Sequence, residues 1–131
     1  MIYLLDSSVC VPIFNKDLKL AARVNQASIS ATIAIPAVVV GDLSYGACKS
    51  TASATALSRL AHLTERFETI PFNYAAVDYY GSIRADLFSK GTPIGPNDFL
   101  IAATALARNV TLVTRNVREF SRVPALRWVE W

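Results

Sequence analysis

Three aspartates and an asparagine stand at positions where an α/β chain places its chemistry. Asp6 ends the apolar run Ile2-Tyr3-Leu4-Leu5, and Asn116 follows the β-branched run 111–114 by one residue. Asp98 lies just inside the segment opened by Gly95-Pro96, and Asp42 follows the apolar stretch after Pro36. Carboxylates gathered in one place repel one another unless a cation sits among them. A hard divalent ion such as Mg²⁺ takes carboxylate and water oxygens. In such a group it activates water as a nucleophile and neutralises charge on a phosphate and its leaving oxygen. No histidine is required, and the only one, His62, falls in a helical stretch away from these positions. Each residue taken singly has a plain structural use. Asp6 can cap a turn, Asp98 can complement a helix dipole, Asp42 can be a solvated helix residue and Asn116 a turn residue. Their convergence on one rim is what points to chemistry.

That convergence depends on the elements around them. Ile2–Leu5 reads as a short buried strand. Residues 17–27 read as a helix with Leu18, Ala21 and Ala22 on its apolar side, and 31–35 as a second strand. Pro36 suits the first turn of a helix, whereas Val38-Val39-Val40 favours a strand, so periodicity leaves 36–50 open. Residues 53–67 read as a helix through Leu57, Leu60, Ala61 and Leu63, and 68–72 as a third strand. Asn73 can cap the next helix, whose stripe is Ala76, Tyr80, Ile83 and Leu87 and whose end is Gly91. Gly95-Pro96 opens a helix that buries Phe99, Ala102, Ala103 and Leu106, with Asn109 as a left-handed cap. Residues 111–114 form a fourth strand and 126–129 a fifth. Strands alternating with helices predict a single α/β domain over 1–131, with a short parallel sheet covered on both faces. Ligands of such sheets bind beyond the carboxyl ends of the strands, where Asp6 and Asn116 fall.

Composition excludes several classes. With 53% hydrophobic and 18% charged residues the chain is globular, and a net charge of +3 leans only mildly toward an acidic partner such as nucleic acid. Cys10 and Cys48 are far apart and form no CxxC pair, which predicts reduced thiols and neither a disulfide framework nor a zinc site. No basic leader precedes Asp6 and no apolar stretch is long enough to span a bilayer, which predicts a cytoplasmic protein with no membrane partner.

The residues around the acids carry a more specific signal. Leu4-Leu5-Asp6-Ser7-Ser8 resembles the opening strand motif of PIN domains, and Asp42-Leu43-Ser44-Tyr45-Gly46-Ala47 a helix motif of the same family. Gly91-Thr92-Pro93-Ile94-Gly95-Pro96-Asn97-Asp98 and Leu112-Val113-Thr114-Arg115-Asn116-Val117-Arg118-Glu119-Phe120 resemble its third and closing blocks. The blocks occur in the family's order and cover nearly the whole chain. The chain thus resembles the VapC toxins, PIN-domain ribonucleases of bacterial toxin–antitoxin pairs. The resemblance implies a three-layer α/β/α sandwich around a short central parallel sheet, and makes 36–50 a helix. It implies a Mg²⁺- or Mn²⁺-dependent endoribonuclease acting on structured RNA such as tRNA or rRNA, a homodimer, and inhibition by a VapB-like antitoxin.

Under that resemblance Asp6 and Asp98 are the main metal ligands, and Asp42 is a further ligand or orients the attacking water. Asn116 and Ser7 are polar supports, and Arg115, Arg118 and Arg122 approach RNA phosphates. Tyr45 and Phe120 are core or groove walls. Three positions depart from the family's pattern: Ser8 stands where Asn is usual, Asp42 where Glu is usual, and Asn116 where many members carry Asp. These changes leave three carboxylates where an all-acid site has four, and weaken the expected second metal position. They also motivate an alternative, a catalytically weak PIN fold that binds RNA or a partner. An aspartyl-phosphate hydrolase with Asp6 as nucleophile would want a second Asp two residues on, where Ser8 stands.

Overall fold

Leu4 and Leu5 are 0% and 1% exposed, because parallel strands flank them on both sides. The computed structural model describes residues 1–131. Its sheet comprises β1 (Ile2–Leu5), β2 (Thr32–Pro36), β3 (Glu68–Ile70), β4 (Thr111–Val113) and β5 (Trp128–Val129). The five strands are all parallel, in the order β3-β2-β1-β4-β5, with Leu4 opposite Ala34 and Leu112, and Leu5 opposite Val113. Helices α1 (Ser7–Phe14) and α2 (Leu18–Ala27) connect β1 to β2, and α3 (Ala37–Cys48) and α4 (Ser53–Arg66) connect β2 to β3. Helices α5 (Tyr74–Ser89) and α6 (Pro96–Arg108) lead back to β4, and α7 (Val117–Phe120) precedes β5. Right-handed crossovers put α1 to α4 on one face and α5 to α7 on the other, which makes the expected three-layer α/β/α sandwich.

Most sequence expectations hold, with shifts at the ends. Asn109 adopts the left-handed conformation (φ 53°), as does Gly91 (φ 70°). Around Gly91 the Thr92 amide reaches back to the Leu87 carbonyl at 2.9 Å, which closes α5. Strands β3 and β5 are shorter than the apolar runs suggest.

Two readings are corrected, and one segment without an assignment is a helix. Residues 7–14, unassigned by periodicity, are helix α1, capped by Asp6 and buried through Val9 and Cys10. The buried side of α2 is Leu20, Val24 and Ala27, while Leu18 is 80% exposed. In α4 the buried side chains are Ala56 and Leu60, with Leu57 and Ala61 facing out. The open segment 36–50 is helix α3. Its buried residues Val39, Leu43 and Ala47 recur every fourth position, so the packed stripe overrides the β preference of the valines. No helix is long and apolar enough to cross a membrane.

Candidate active site

The strand order reverses between β1 and β4. In open parallel sheets the crevice beyond that reversal is where ligands bind. Asp6 lies at its floor, 1% exposed, immediately after β1, and its amide continues the sheet by donating to the Val113 carbonyl at 3.1 Å. Its Oδ1 accepts from the Ser8 amide at 2.8 Å and from Ser8 Oγ at 2.5 Å, and its Oδ2 accepts from Thr114 Oγ1 at 2.6 Å. A second tier supports the first: Ser8 Oγ accepts from the Arg115 amide at 2.8 Å, and Thr114 Oγ1 from the Asn116 amide at 2.9 Å. Both strand ends therefore clamp one carboxylate. Oδ1 is filled by two donors, but Oδ2 has one, which leaves a lone pair of Oδ2 unused in the fold. Burial pushes the Asp6 carboxyl above its usual value, and the bonds from Ser8 and Thr114 pull it back.

Asp98 enters from the first turn of α6, set by Gly95-Pro96. Burial first, and then the charges of Glu119 and Asp6, together raise its carboxyl to about 6. A hydrogen bond toward Glu119 also favours the protonated form of Asp98. Glu119, on the short helix α7, also accepts the Gly95 amide at 3.2 Å. Neither ion pair of the molecule, Lys90–Asp86 and Arg108–Glu68, involves Asp6, Asp98 or Glu119.

The structure thus brings Asp6 and Asp98 together and adds Glu119 and Thr114, which sequence reasoning did not single out. A signal for Glu119 existed: it is an acid one helical turn beyond Asn116. Asp42 stays at the exposed edge, where Asn97 Nδ2 approaches its two oxygens at 3.4 and 3.3 Å. Asn116 contributes its backbone amide to the second tier. Ser7 opens α1, half-buried. Ser8, which stands where the family usually has Asn, makes positioning bonds to Asp6 and to the Arg115 amide. Arg115 Nε donates to the Trp131 carbonyl at 3.3 Å and Arg122 Nη1 to the Pro93 carbonyl at 3.0 Å, while Arg118 is exposed. Phe120 is core at 0% exposure, but Tyr45 is 67% exposed under Lys49 and is neither core nor wall.

The residues fit a hard divalent cation. The donors are carboxylate oxygens that feel one another's charge and have no cationic partner. No three His, Cys, Asp or Glu side chains form a ready-made cage, so an ion here would have to complete its shell with water.

A description of the PIN domain matches residues 3–126. The chain belongs to the PIN-domain family. It is 41% identical to Ribonuclease VapC2 of Rickettsia felis, over 100% of this chain and 98% of that one. It is 35% identical to the tRNA(fMet)-specific endonuclease VapC of Salmonella typhimurium, over 98% of this chain and 97% of the relative. A solved structure of VapBC2 from Rickettsia felis bound to a promoter DNA fragment superposes with a TM-score of 0.94 at 39% identity, covering 100% of this chain and 99% of that one.

One glycine of this PIN domain is required by space rather than by backbone. Gly95 has an ordinary φ of −62°, yet a Cβ there would lie 3.0 Å from Asp98 Oδ2. Gly95→Ala is expected to displace the Asp98 carboxylate and to lower turnover on the order of tenfold or more. The melting temperature should stay near that of the wild type, and calorimetry beside a cleavage assay checks both.

Proposed function

We propose that this PIN domain is a VapC-type toxin, an endoribonuclease that hydrolyses phosphodiester bonds in structured RNA such as tRNA or rRNA. The observation that carries the reading is that Asp98 feels the charges of both Asp6 and Glu119, with no ion pair to any of the three, where the strand order reverses. The names of its relatives, a ribonuclease and a tRNA endonuclease, support the substrate class.

The chain's own residues have distinct tasks. Asp6, clamped by Ser8 and Thr114, offers one fixed oxygen. Asp98 and Glu119 offer further carboxylate oxygens, and a bound divalent ion would favour the ionised form of Asp98. Glu119 thereby supplies the fourth acid that Asn116 does not. Asp42, with Asn97 beside it, stands at the rim where an attacking water or a phosphate oxygen enters. Ser7 and Arg118 line the approach to the substrate. Mg²⁺ or Mn²⁺ held by Asp6, Asp98 and Glu119 would supply electrostatic stabilisation of the phosphorane-like charge and activation of water.

The test is cleavage of a labelled tRNA by purified protein. Cleavage is expected with Mn²⁺ and with Mg²⁺, and none in EDTA. Binding without cleavage under any divalent ion would make the chain a binding PIN fold instead.

Two partners accompany this reading. A VapB-like antitoxin is proposed because the solved relative is a VapBC complex. A homodimer is proposed because α5 shows an exposed stripe of Tyr74, Val77, Gly81, Ala85 and Phe88, with Tyr74 at 90% and Phe88 at 53%. Those positions share one helical face, and the small residues at its middle permit close approach of a second copy. Val77→Arg is expected to convert the dimer to a monomer, read by light scattering at micromolar concentration. Action on cellular RNA places the proposed protein in the cytoplasm.

A further inference from the structure

We infer that α4 carries a phosphate-binding trough that holds the RNA strand beyond the point of cleavage, an inference that rests on the ribonuclease reading above. Two adjoining grooves compose it. The first, of about 430 Å³, runs from Asp42 and Lys49 to Arg59. The second, of about 250 Å³, runs from Arg59 to Lys16, His62 and Arg66 over a floor that includes Phe14. Because Phe14 and Arg59 line both, one trough leads from the catalytic rim to the end of α4. Arg59, His62 and Arg66 recur at helical spacing and share one face.

The cations of the trough are held in place without being neutralised. Neither ion pair of the molecule involves Lys16, Lys49, Arg59 or Arg66. Lys49 lies over the Tyr45 ring at 4.8 Å, Arg59 over Phe14 at 4.5 Å and Arg66 over Phe67 at 4.8 Å. Aromatic faces orient a cation but leave its charge uncancelled. Arg59 Nη2 has no acceptor in the fold, so the guanidinium spends none of its charge on a fold partner there. The second groove has no Asp or Glu in its lining. A phosphate meets each of these conditions: it accepts from a guanidinium and cancels charge. By contrast, Arg115 and Arg122, nearer the acids, already donate to backbone carbonyls. An acidic peptide would meet the same charge. The trough's continuity with the rim at Asp42 favours the polyanion that has to cross that rim.

Binding of a labelled RNA stem-loop, measured by anisotropy in EDTA over a range of salt, tests this. The pair Lys16→Glu with Arg66→Glu is expected to weaken binding about tenfold or more at moderate salt and to lower the slope of log K against log salt by about two. The pair Lys90→Glu with Arg108→Glu makes the same charge change elsewhere and should bind as the wild type does. Arg66 also bonds Asn25, so Lys16→Glu with His62→Glu repeats the test at exposed side chains that make no bond in the fold. Equal losses from the trough and control pairs, or none from either trough pair, overturn the inference. Wild-type protein that cleaves the stem-loop while the trough pairs bind it unchanged overturns the trough alone. Wild-type protein that neither binds nor cleaves overturns the ribonuclease reading with it. Loss of affinity for the antitoxin without loss for RNA assigns the trough to a protein and also overturns the inference.

Discussion

Asp98→Asn is expected to abolish RNA cleavage while leaving the metal-free protein as stable as the wild type, or more so. The carboxylate it removes is the one most strained by its neighbours, since burial, Glu119 and Asp6 all oppose its charge. A neutral amide of nearly the same shape relieves that opposition. It also removes a ligand charge, and a bound divalent ion contributes several kcal/mol of transition-state stabilisation. At about 1.4 kcal/mol per factor of ten, the expected loss of turnover is on the order of a hundredfold to a thousandfold. Asp6→Asn should lose activity equally but behave differently in the melt. Its two oxygens accept from Ser8 N, Ser8 Oγ and Thr114 Oγ1. The Ser8 amide can only donate, so the new nitrogen has to take the Oδ2 place, where the Thr114 hydroxyl must turn to accept and its proton loses a buried partner. The expected cost is about 1–3 kcal/mol. Thermal unfolding in EDTA beside single-turnover cleavage in Mn²⁺ separates the two cases. Wild-type cleavage by either variant would remove that residue from the site, and equal stability of the two would contradict the clamp around Asp6.

The contrast between these aspartates bears on what the sequence discloses. Asp6 was legible because a continuous apolar run must be a buried strand and the residue that ends it must lie at the sheet's edge. Asp98 was legible because Gly95-Pro96 fixes the start of a helix. Helix α1 was not, since Val9, Val11, Pro12 and Ile13 are poor helix formers. It forms because Asp6 caps it and the core takes up Val9 and Cys10. The phase of α2 was misread for a related reason. Leu18 is as apolar as Leu20, and only the neighbouring elements decide which of the two is covered. In the site, the motif blocks drew attention to Asp42 and Asn116. What joins Glu119 to Asp98 is a contact with Gly95, 24 positions away in the chain, and no local pattern shows across that distance. Ser8 teaches the converse: a shorter side chain in the place of Asn still reaches Asp6, because the α1 cap brings its hydroxyl within bonding distance.

Glu119 yields the second large effect, which appears as a dependence on pH. Asp98 holds its proton up to about 6 in the folded chain, against an ordinary value of 3.8. An acid whose value is higher when folded binds its proton more tightly in that state. The folded state therefore gains from Asp98 below about pH 4, and the gain is lost as pH rises through about 6. Asp6, also raised, acts in the same direction. In EDTA the melting temperature of wild type relative to Asp98→Asn is accordingly expected to fall between about pH 4 and pH 7. Glu119→Gln should flatten that fall, because it removes the carboxylate charge nearest Asp98 and the partner for its proton. A cation competes with the proton for the Asp98 oxygens, so its binding would release that proton and strengthen as pH rises. Stabilisation by Mn²⁺ should grow across the same interval, and Glu119→Gln should weaken Mn²⁺ binding tenfold or more, roughly the loss that follows removal of groups supporting a metal site. Calorimetric titration of Mn²⁺ into both proteins at about pH 5 and pH 7 measures the two effects together. If Glu119→Gln bound Mn²⁺ as tightly as the wild type and kept its pH dependence, a further carboxylate would have to be sought elsewhere on the rim, where Asp42 bonds Asn97 beside Asp98.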